Sequence, residues 1–359
     1  MAKKTSLTEA VSAELKSKFD LDKFKEKKSL NNNVKFKEQK WIPFSPALQD
    51  ILSIPGAPMG HITLLRGHSD TGKTTALLET AINAQKMGIL PVFIITEMKW
   101  NWLHAQQMGF ELESIQDEGG NTTDYKGFFI YADRGTLNTI ENVAEFIADL
   151  LDEQRKGNLP YDLCFLWDSI GSIPCRMSIE ANKNNPMWNA GAMSQQFGNF
   201  INQRFPLSRK ENSKYTNTLV AVNKIWVAPA ENIMSQPKMK MKNGETMFLD
   251  ASVVLTFGNV TNSGTSKIKA TKNGKEVEFA KRTKVSCDKN HVTGINTKGT
   301  ITATVHGFIP DEKANIDAYK KEHSSEWVSI LGHGDFEVVE DLTDWDESNR
   351  DIPLLEDES

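Results

Sequence analysis

Residues 58–80 read PMGHITLLRGHSDTGKTTALLET, and the order of events in this stretch decides the fold. An apolar run, ITLL, ends at Gly67; GHSDTGKT follows at 67–74; a segment with helical spacing comes next. Gly67 and Gly72 permit the backbone turns that aim the amides of His68, Ser69, Asp70 and Thr71 at phosphate oxygens, and a helix opening near Gly72 adds its positive end. Lys73 is then placed to reach β- and γ-phosphates, Thr74 to ligate Mg²⁺, and Thr75 to continue the cradle into the helix.

The pattern around the loop is that of a doubly covered parallel sheet. Working outward, HITLLRG, LPVFIITE, GFFIYAD, YDLCFLWDS, NTLVAVNK and DASVVLTFG are short apolar runs alternating with helical stretches. Strands that are apolar on both faces need helices on both faces, which gives an α/β core over 41–310. After residue 260 the pattern becomes antiparallel: Asn273-Gly274 marks a type I′ turn between alternating runs, and GTITATVHGF supplies a further strand. Before the core, residues 1–40 read as a helical arm and linker. Beyond it, 311–334 read as a short helix and loop, and 335–359 as a disordered acidic tail.

That tail holds eleven acids against Arg350, so the net charge of −5 conceals a body at +5. A basic body points to a polyanionic partner with which an acidic tail would compete; a purely solubilising tail is the alternative. No apolar run approaches 18 residues and the amino terminus lacks a secretory core, so a cytoplasmic, membrane-free protein is expected. Cys164, Cys175 and Cys287 lack metal-ligand spacing and are expected reduced and structural.

Two carboxylates stand at strand ends, where ligands bind in such sheets. Glu97 can orient and deprotonate an attacking water, and Asp168 can hold the Mg²⁺ shell; a solvated strand-end acid and a helix cap are the plainer alternatives. Two polar segments leave the same sheet edge. The first, at 174–190, carries Arg176, Lys183, Met187 and Trp188; the second, at 225–245, runs from Ile225 and interleaves Lys238, Lys240 and Lys242 with methionines. Cations answer backbone phosphates and apolar side chains stack on bases, so both suit single-stranded DNA, while either alone also reads as a surface loop.

Taken together, FSPALQDILSIPGAPMGHITLLRGHSDTGKTTALL, ITEMKWNWLHAQQMGFE, WDSI, AMSQQ, AVNK, NGETMFLDASVVL and TKVSCDKNHV resemble the RecA-type homologous recombinases, in an abbreviated form like the phage-encoded, UvsX-like members. The resemblance spans roughly 41–309. It implies a RecA-like fold and an ATPase using ATP and Mg²⁺, with Lys73 and Thr74 on the nucleotide and metal, Glu97 as the catalytic glutamate and Asp168 behind the metal. It sets Asn101 and His104 at the adenine, and Asn223 and Lys224 at the γ-phosphate, where Lys224 replaces the usual amide. Lys289 and His291 match the basic pair that completes a neighbouring subunit's site.

The resemblance further implies self-assembly into filaments on single-stranded DNA, pairing with homologous duplex DNA, and accessory single-strand-binding and loader proteins. After Pro310 too little sequence remains for the compact carboxyl-terminal domain of many bacterial members. A ring-forming, DnaB-like replicative helicase and a non-catalytic regulatory recombinase paralogue are the alternatives.

Overall fold

A computed structural model describes residues 35–199, 204–227, 239–241, 243, 245–258, 265–332 and 337–341, with Asp20, Lys23, Phe24 and Lys27. The chain divides into two units, one of residues 1–38 with 210–212, the other of residues 39–209 and 213–359. In the smaller unit Phe36 bridges Lys210 antiparallel, and Lys35 lies 3.9 Å from Glu211. The helical arm expected over 1–40 otherwise lies outside the described residues.

In the larger unit β1 (Trp41–Pro43) pairs with β2 (Gly56–Pro58) and β5 (Glu113–Gln116) with β6 (Thr122–Lys126), while the other described strands, β10 (Met239–Met241) and β16 (Glu337–Asp341) among them, form one sheet of twelve. Its parallel half consists of β3 (Ile62–Gly67), β4 (Leu90–Ile95), β7 (Ile130–Asp133), β8 (Leu163–Asp168), β9 (Thr218–Val227) and β11 (Val253–Phe257), in the order β11-β3-β9-β8-β4-β7. These are the six apolar runs read from the sequence. All six residues of β8, LCFLWD, are buried, which a strand achieves only when both faces of its sheet are covered. Helix α1 (Lys73–Lys86) covers one face, sinking Ala76, Leu77, Leu78, Ala81, Ile82 and Ala84. Burial of a leucine-sized side chain is worth about 1.5–3 kcal/mol, so this helix is fixed firmly behind the loop it starts from. Helix α2 (Ile140–Lys156) covers the opposite face; Thr139 caps it by accepting from the Asn142 amide at 3.1 Å, and Gly157, at φ 90°, ends it in the left-handed region.

The antiparallel half continues from β11 through β13 (Lys275–Asn290), β14 (Lys298–Thr304) and β15 (Gly307–Pro310), with β12 (Thr265–Lys272) paired to β13. Asn273 and Gly274 both have positive φ, 50° and 78°, as a type I′ turn requires. The run GTITATVHGF is two strands rather than one, because Val305-His306 turns the chain between β14 and β15. Residues 311–332 hold helix α3 (Lys313–His323), a 3₁₀ turn (Ser324–Trp327) and a short helix (Val328–Leu331); 333 and 334 lie outside the described residues. Ile316, Tyr319, Trp327 and Leu331 pack there against Ile268, Ala270, Phe279 and Ala280, so this segment adds a small core of its own to the antiparallel half.

One expectation for the tail is corrected. Glu337–Asp341 form a strand antiparallel to β12, with Val339 opposite Lys269 and Asp341 opposite Lys267. EVVED sets two adjacent valines among acids, with no alternation to mark a strand, and the edge of β12 supplies the backbone partners. Residues 342–359 lie outside the described set. A second strand pair missing from the sequence reading, Glu113–Gln116 with Thr122–Lys126, makes an exposed hairpin.

Candidate nucleotide site and nucleic-acid interface

The carboxyl ends of β3, β4, β8 and β9 meet at one edge of the sheet, because these strands are parallel neighbours in register: Gly67 lies opposite Lys224, and Ile95 opposite Asp168. The loop at 67–72 therefore opens beside Glu97, Asp168 and Lys224. Gly67 passes so close to β11 that an added Cβ would stand 2.2 Å from the Phe257 carbonyl oxygen, and at Gly72, φ 90°, it would meet the Phe308 ring at 2.9 Å. No larger side chain fits either position without moving the cradle. Thr71, Thr74 and Thr75 line a cleft of about 330 Å³ whose opposite wall is Glu278–Lys281 and 303–305 of the antiparallel half.

Lys73 is buried and folds back on the loop, donating to the His68 carbonyl and, at 3.3 Å, to the Thr71 hydroxyl. Burial pulls its ammonium down from the usual lysine range to about 8, Asp168 opposes that shift, and Lys224 adds to it. An anion in the cleft would favour the charged form of this ammonium. Thr74 donates to Asp168 Oδ2 at 2.8 Å, so the hydroxyl and carboxylate expected to hold Mg²⁺ already share one position. Burial raises the Asp168 carboxyl above its ordinary range. These groups fit a magnesium triphosphate: a hard oxygen pair, a desolvated cation and an amide-lined loop.

Glu97 is held from both sides. Lys224 Nζ lies 2.6 Å from one of its oxygens, and Ser169 donates to the other at 3.2 Å. Behind it, Thr96 receives bonds from the Trp167 indole at 3.0 Å and the Ser172 hydroxyl at 2.8 Å, while its own hydroxyl donates to the Ser169 carbonyl. The Asp168–Ser169 peptide bond is cis. Met98, Lys99 and Arg134 line a second cleft beside the Glu97–Lys224 pair; the sequence reading passed over these residues, although Met98 and Lys99 directly follow Glu97. Asn223 is buried beside Lys224.

Asn101 and His104 stand at the start of the helix Trp102–Gln107, where Asn101 is the N-cap and accepts from the His104 amide at 3.2 Å. The Asn101 side chain is thus engaged in capping. Burial and the nearby His306 hold the His104 imidazole below its usual value.

Lys289 and His291 are not brought to this loop. Lys289 pairs with Val254, three residues before Phe257, which faces Gly67, so it lies toward the other end of the parallel strands. There its ammonium donates to the Phe248 and Leu249 carbonyls at 3.0 and 2.6 Å. Exposed His291 ties its backbone to Ser252.

The described residues of the two segments expected to meet DNA include helices and a strand pair. In the first, Arg176–Glu180 and Pro186–Asn199 are helices, and the asparagines form a network: Asn189 Oδ1 accepts from the Cys175 amide and the Ser178 hydroxyl, both at 2.9 Å, and Asn184 accepts from Asn189. Arg176 is ion-paired with Glu145 at 3.0 Å. Lys183 is exposed, as is Met187 at 82 %, while Trp188 is partly buried against the core. Exposed Met177 and Ile179 were missed; both fall inside the expected segment.

The second segment starts as a ribbon in which β9 pairs antiparallel with Met239–Met241, Ile225 opposite Met241 and Trp226 opposite Lys240. Alternation decides the faces: Ile225 and Met241 are buried, so Ile225 is corrected from a DNA contact to a core residue, while Trp226 and Lys240 lie side by side and exposed. Lys238 and Lys242 lie outside the described residues. Asn243 anchors the far end by donating to the Ile170 and Ile173 carbonyls at 2.9 and 3.0 Å.

The three cysteines are free and buried, and among the described residues no helix is long and apolar enough to cross a membrane. Fold and site together define an α/β protein with a mostly parallel sheet, an antiparallel extension and a phosphate loop at the strand ends, compatible with a RecA-like core. The chain is similar to several bacterial RecA proteins. That of Wolbachia sp. subsp. Brugia malayi is 25 % identical over 212 residues, 52 % of this chain and 59 % of that protein. Those of Symbiobacterium thermophilum and Bifidobacterium breve are 35 % identical over 71 residues and 29 % over 118, each covering 20 % and 30 % of the relative. The chain therefore spans between a fifth and about three fifths of these relatives. No protein-family model matches it.

Proposed function

We propose that this protein is an ATP-dependent DNA recombinase of the phage-encoded kind, which assembles as a filament on single-stranded DNA and promotes pairing with homologous duplex and strand exchange. The observation that carries this reading is the 2.6 Å pair between Glu97 and Lys224. One partner is the carboxylate beside the phosphate loop; the other is on the strand that runs directly into the Trp226–Lys240 ribbon. Nucleotide chemistry and nucleic-acid contact thus share one ion pair.

In this reading Lys73 and the loop amides hold the phosphates, and Thr74 with Asp168 would hold Mg²⁺, which when bound neutralises phosphate charge. Glu97 orients and deprotonates the attacking water. Both Glu97 oxygens are engaged by Lys224 and Ser169, so Lys224 must turn toward the γ-phosphate before Glu97 can take a proton. Asn223 and Lys224 then report the nucleotide to residues 225–245. Lys289 and His291, remote from their own loop, serve the site of an adjoining subunit, where Lys289 exchanges its carbonyl partners for phosphate oxygens. Single-strand-binding and loader proteins are the expected accessory partners, in the cytoplasm of a host cell.

Hydrolysis of ATP by the wild type and Glu97→Ala, with no DNA, single-stranded DNA and duplex, tests this alongside electron microscopy. Turnover stimulated by single strands, lost in Glu97→Ala, with filaments that need ATP, is the expected result. Closed rings with duplex unwinding, or ATP binding without turnover under every condition, would overturn it.

A further inference from the structure

We propose that His306, His323 and Glu326 bind a divalent transition-metal ion of the Zn²⁺ type, which ties the β14–β15 turn at the wall of the phosphate cleft to the helix that follows it. The three donors come from three places: His306 from the turn, His323 from the last turn of α3, and Glu326 from the 3₁₀ turn, three residues further on. Their ligand atoms all lie within 4.8 Å of one another. His323 Nδ1 is 2.8 Å from Glu326 Oε1, and His306 Nε2 is 3.6 Å from the same oxygen. Donors on a tetrahedral zinc, each 2.0–2.2 Å from the ion, stand about 3.3 Å apart, so both separations are within small side-chain adjustments of ligation.

The outer partner that a metal-binding histidine needs is also present. His306 Nδ1 lies 2.8 Å from the Tyr319 hydroxyl. With Nδ1–H donating there, Nε2 is left unprotonated and turned toward Glu326 and His323, the arrangement by which an outer hydrogen bond fixes a ligating imidazole. Both imidazoles stay partly accessible, at 26 % and 20 %, so an ion has a route in. The rings stack at 4.1 Å with 19° between their planes, and an ion between them requires one ring to turn out of the stack. His323 is that ring, since His306 is pinned by Tyr319. Uptake thus exchanges the ring contacts of His323 with His306 and Tyr319, and its hydrogen bond to Glu326, for three bonds to the ion, and leaves at least one position for water.

The location gives the site a consequence. Thr304 and Val305, directly before His306, line the cleft beside the phosphate loop. A bound ion would stiffen the cleft wall from the side of α3.

The test uses the untagged full chain, stripped with a chelator and titrated with Co²⁺ while visible absorption is followed, then with Zn²⁺ against a chromophoric chelator. One equivalent of Co²⁺ giving tetrahedral bands, displaced by Zn²⁺, is expected. His306→Ala and His323→Ala should weaken Zn²⁺ binding by about 100-fold or more, and Tyr319→Phe by roughly 10-fold, as loss of an outer partner does. Glu326→Gln changes only a part-exposed carboxylate; it should weaken binding comparably to the alanine variants with an unchanged circular dichroism spectrum, which separates ligation from misfolding. Absence of the bands in the wild type, or Zn²⁺ affinity unaltered in correctly folded Glu326→Gln, would overturn the proposal.

Discussion

The sheet edge at Glu97 and the Trp226–Lys240 ribbon are joined by one ion pair, yet they are built in opposite ways. At the first, Lys73 and Asp168 are buried, Thr74 is locked to Asp168, and both Glu97 oxygens are engaged. At the second, Trp226 and Lys240 stand exposed on one face, directly opposite one another. Buried groups act through fixed geometry, so single changes should be severe. Exposed ones act by adding small, salt-screened contacts, so single changes should be graded.

The largest effect that would break this contrast is at Glu97. Glu97→Gln keeps the size of the side chain and removes the base, and turnover should fall by about 10²–10⁴-fold, while ATP binding, followed by a fluorescent nucleotide, should change little. A loss below tenfold would mean that water is activated elsewhere. Next comes Glu79, buried in α1 behind the loop, whose carboxylate accepts from the Phe308 amide at 2.9 Å and is pushed by burial up to about 7. The folded protein keeps this proton up to about pH 7, whereas the unfolded chain releases it near the ordinary carboxylate value. Folding stability therefore falls as pH rises through that window, by up to about 3 kcal/mol from this group. Urea denaturation at pH 5 and pH 8 should show that loss in the wild type and a flatter dependence in Glu79→Gln.

The same contrast explains what could be read without coordinates. The six core strands, the phosphate loop and the Asn273-Gly274 turn were legible because each is encoded within a few neighbouring residues: continuous apolar runs, two glycines, a turn dipeptide. Glu97 and Asp168 were legible because strand ends in a parallel sheet converge. Ile225 was misassigned because its burial depends on a distant partner, Met241, across the ribbon. Trp226 was overlooked for the same reason, since only the pairing with Met239–Met241 settles which face of β9 is exposed. The strand at Glu337–Asp341 needed the edge of β12 to exist, and no local pattern announces an edge.

The ribbon offers the finer tests. Trp226→Ala should weaken binding to single-stranded DNA by about 1–3 kcal/mol, the range for loss of a base-stacking aromatic, with little change in the salt slope. Lys240→Ala, one position across the ribbon, should do the reverse. Its effect at physiological salt should be under 1 kcal/mol, but the slope of log affinity against log salt should shallow by about 0.7, the value for one phosphate contact on a single strand. Fluorescence anisotropy over a salt series measures both. The pair is informative because both substitutions fall on one exposed face: if Trp226→Ala flattened the slope and Lys240→Ala left it unchanged, the ribbon would be a packing surface for another protein. If each substitution changes only its own quantity, the stack and the phosphate contact are separate contributions, and Lys224, two residues from Trp226, is the nearest group through which either could reach Glu97.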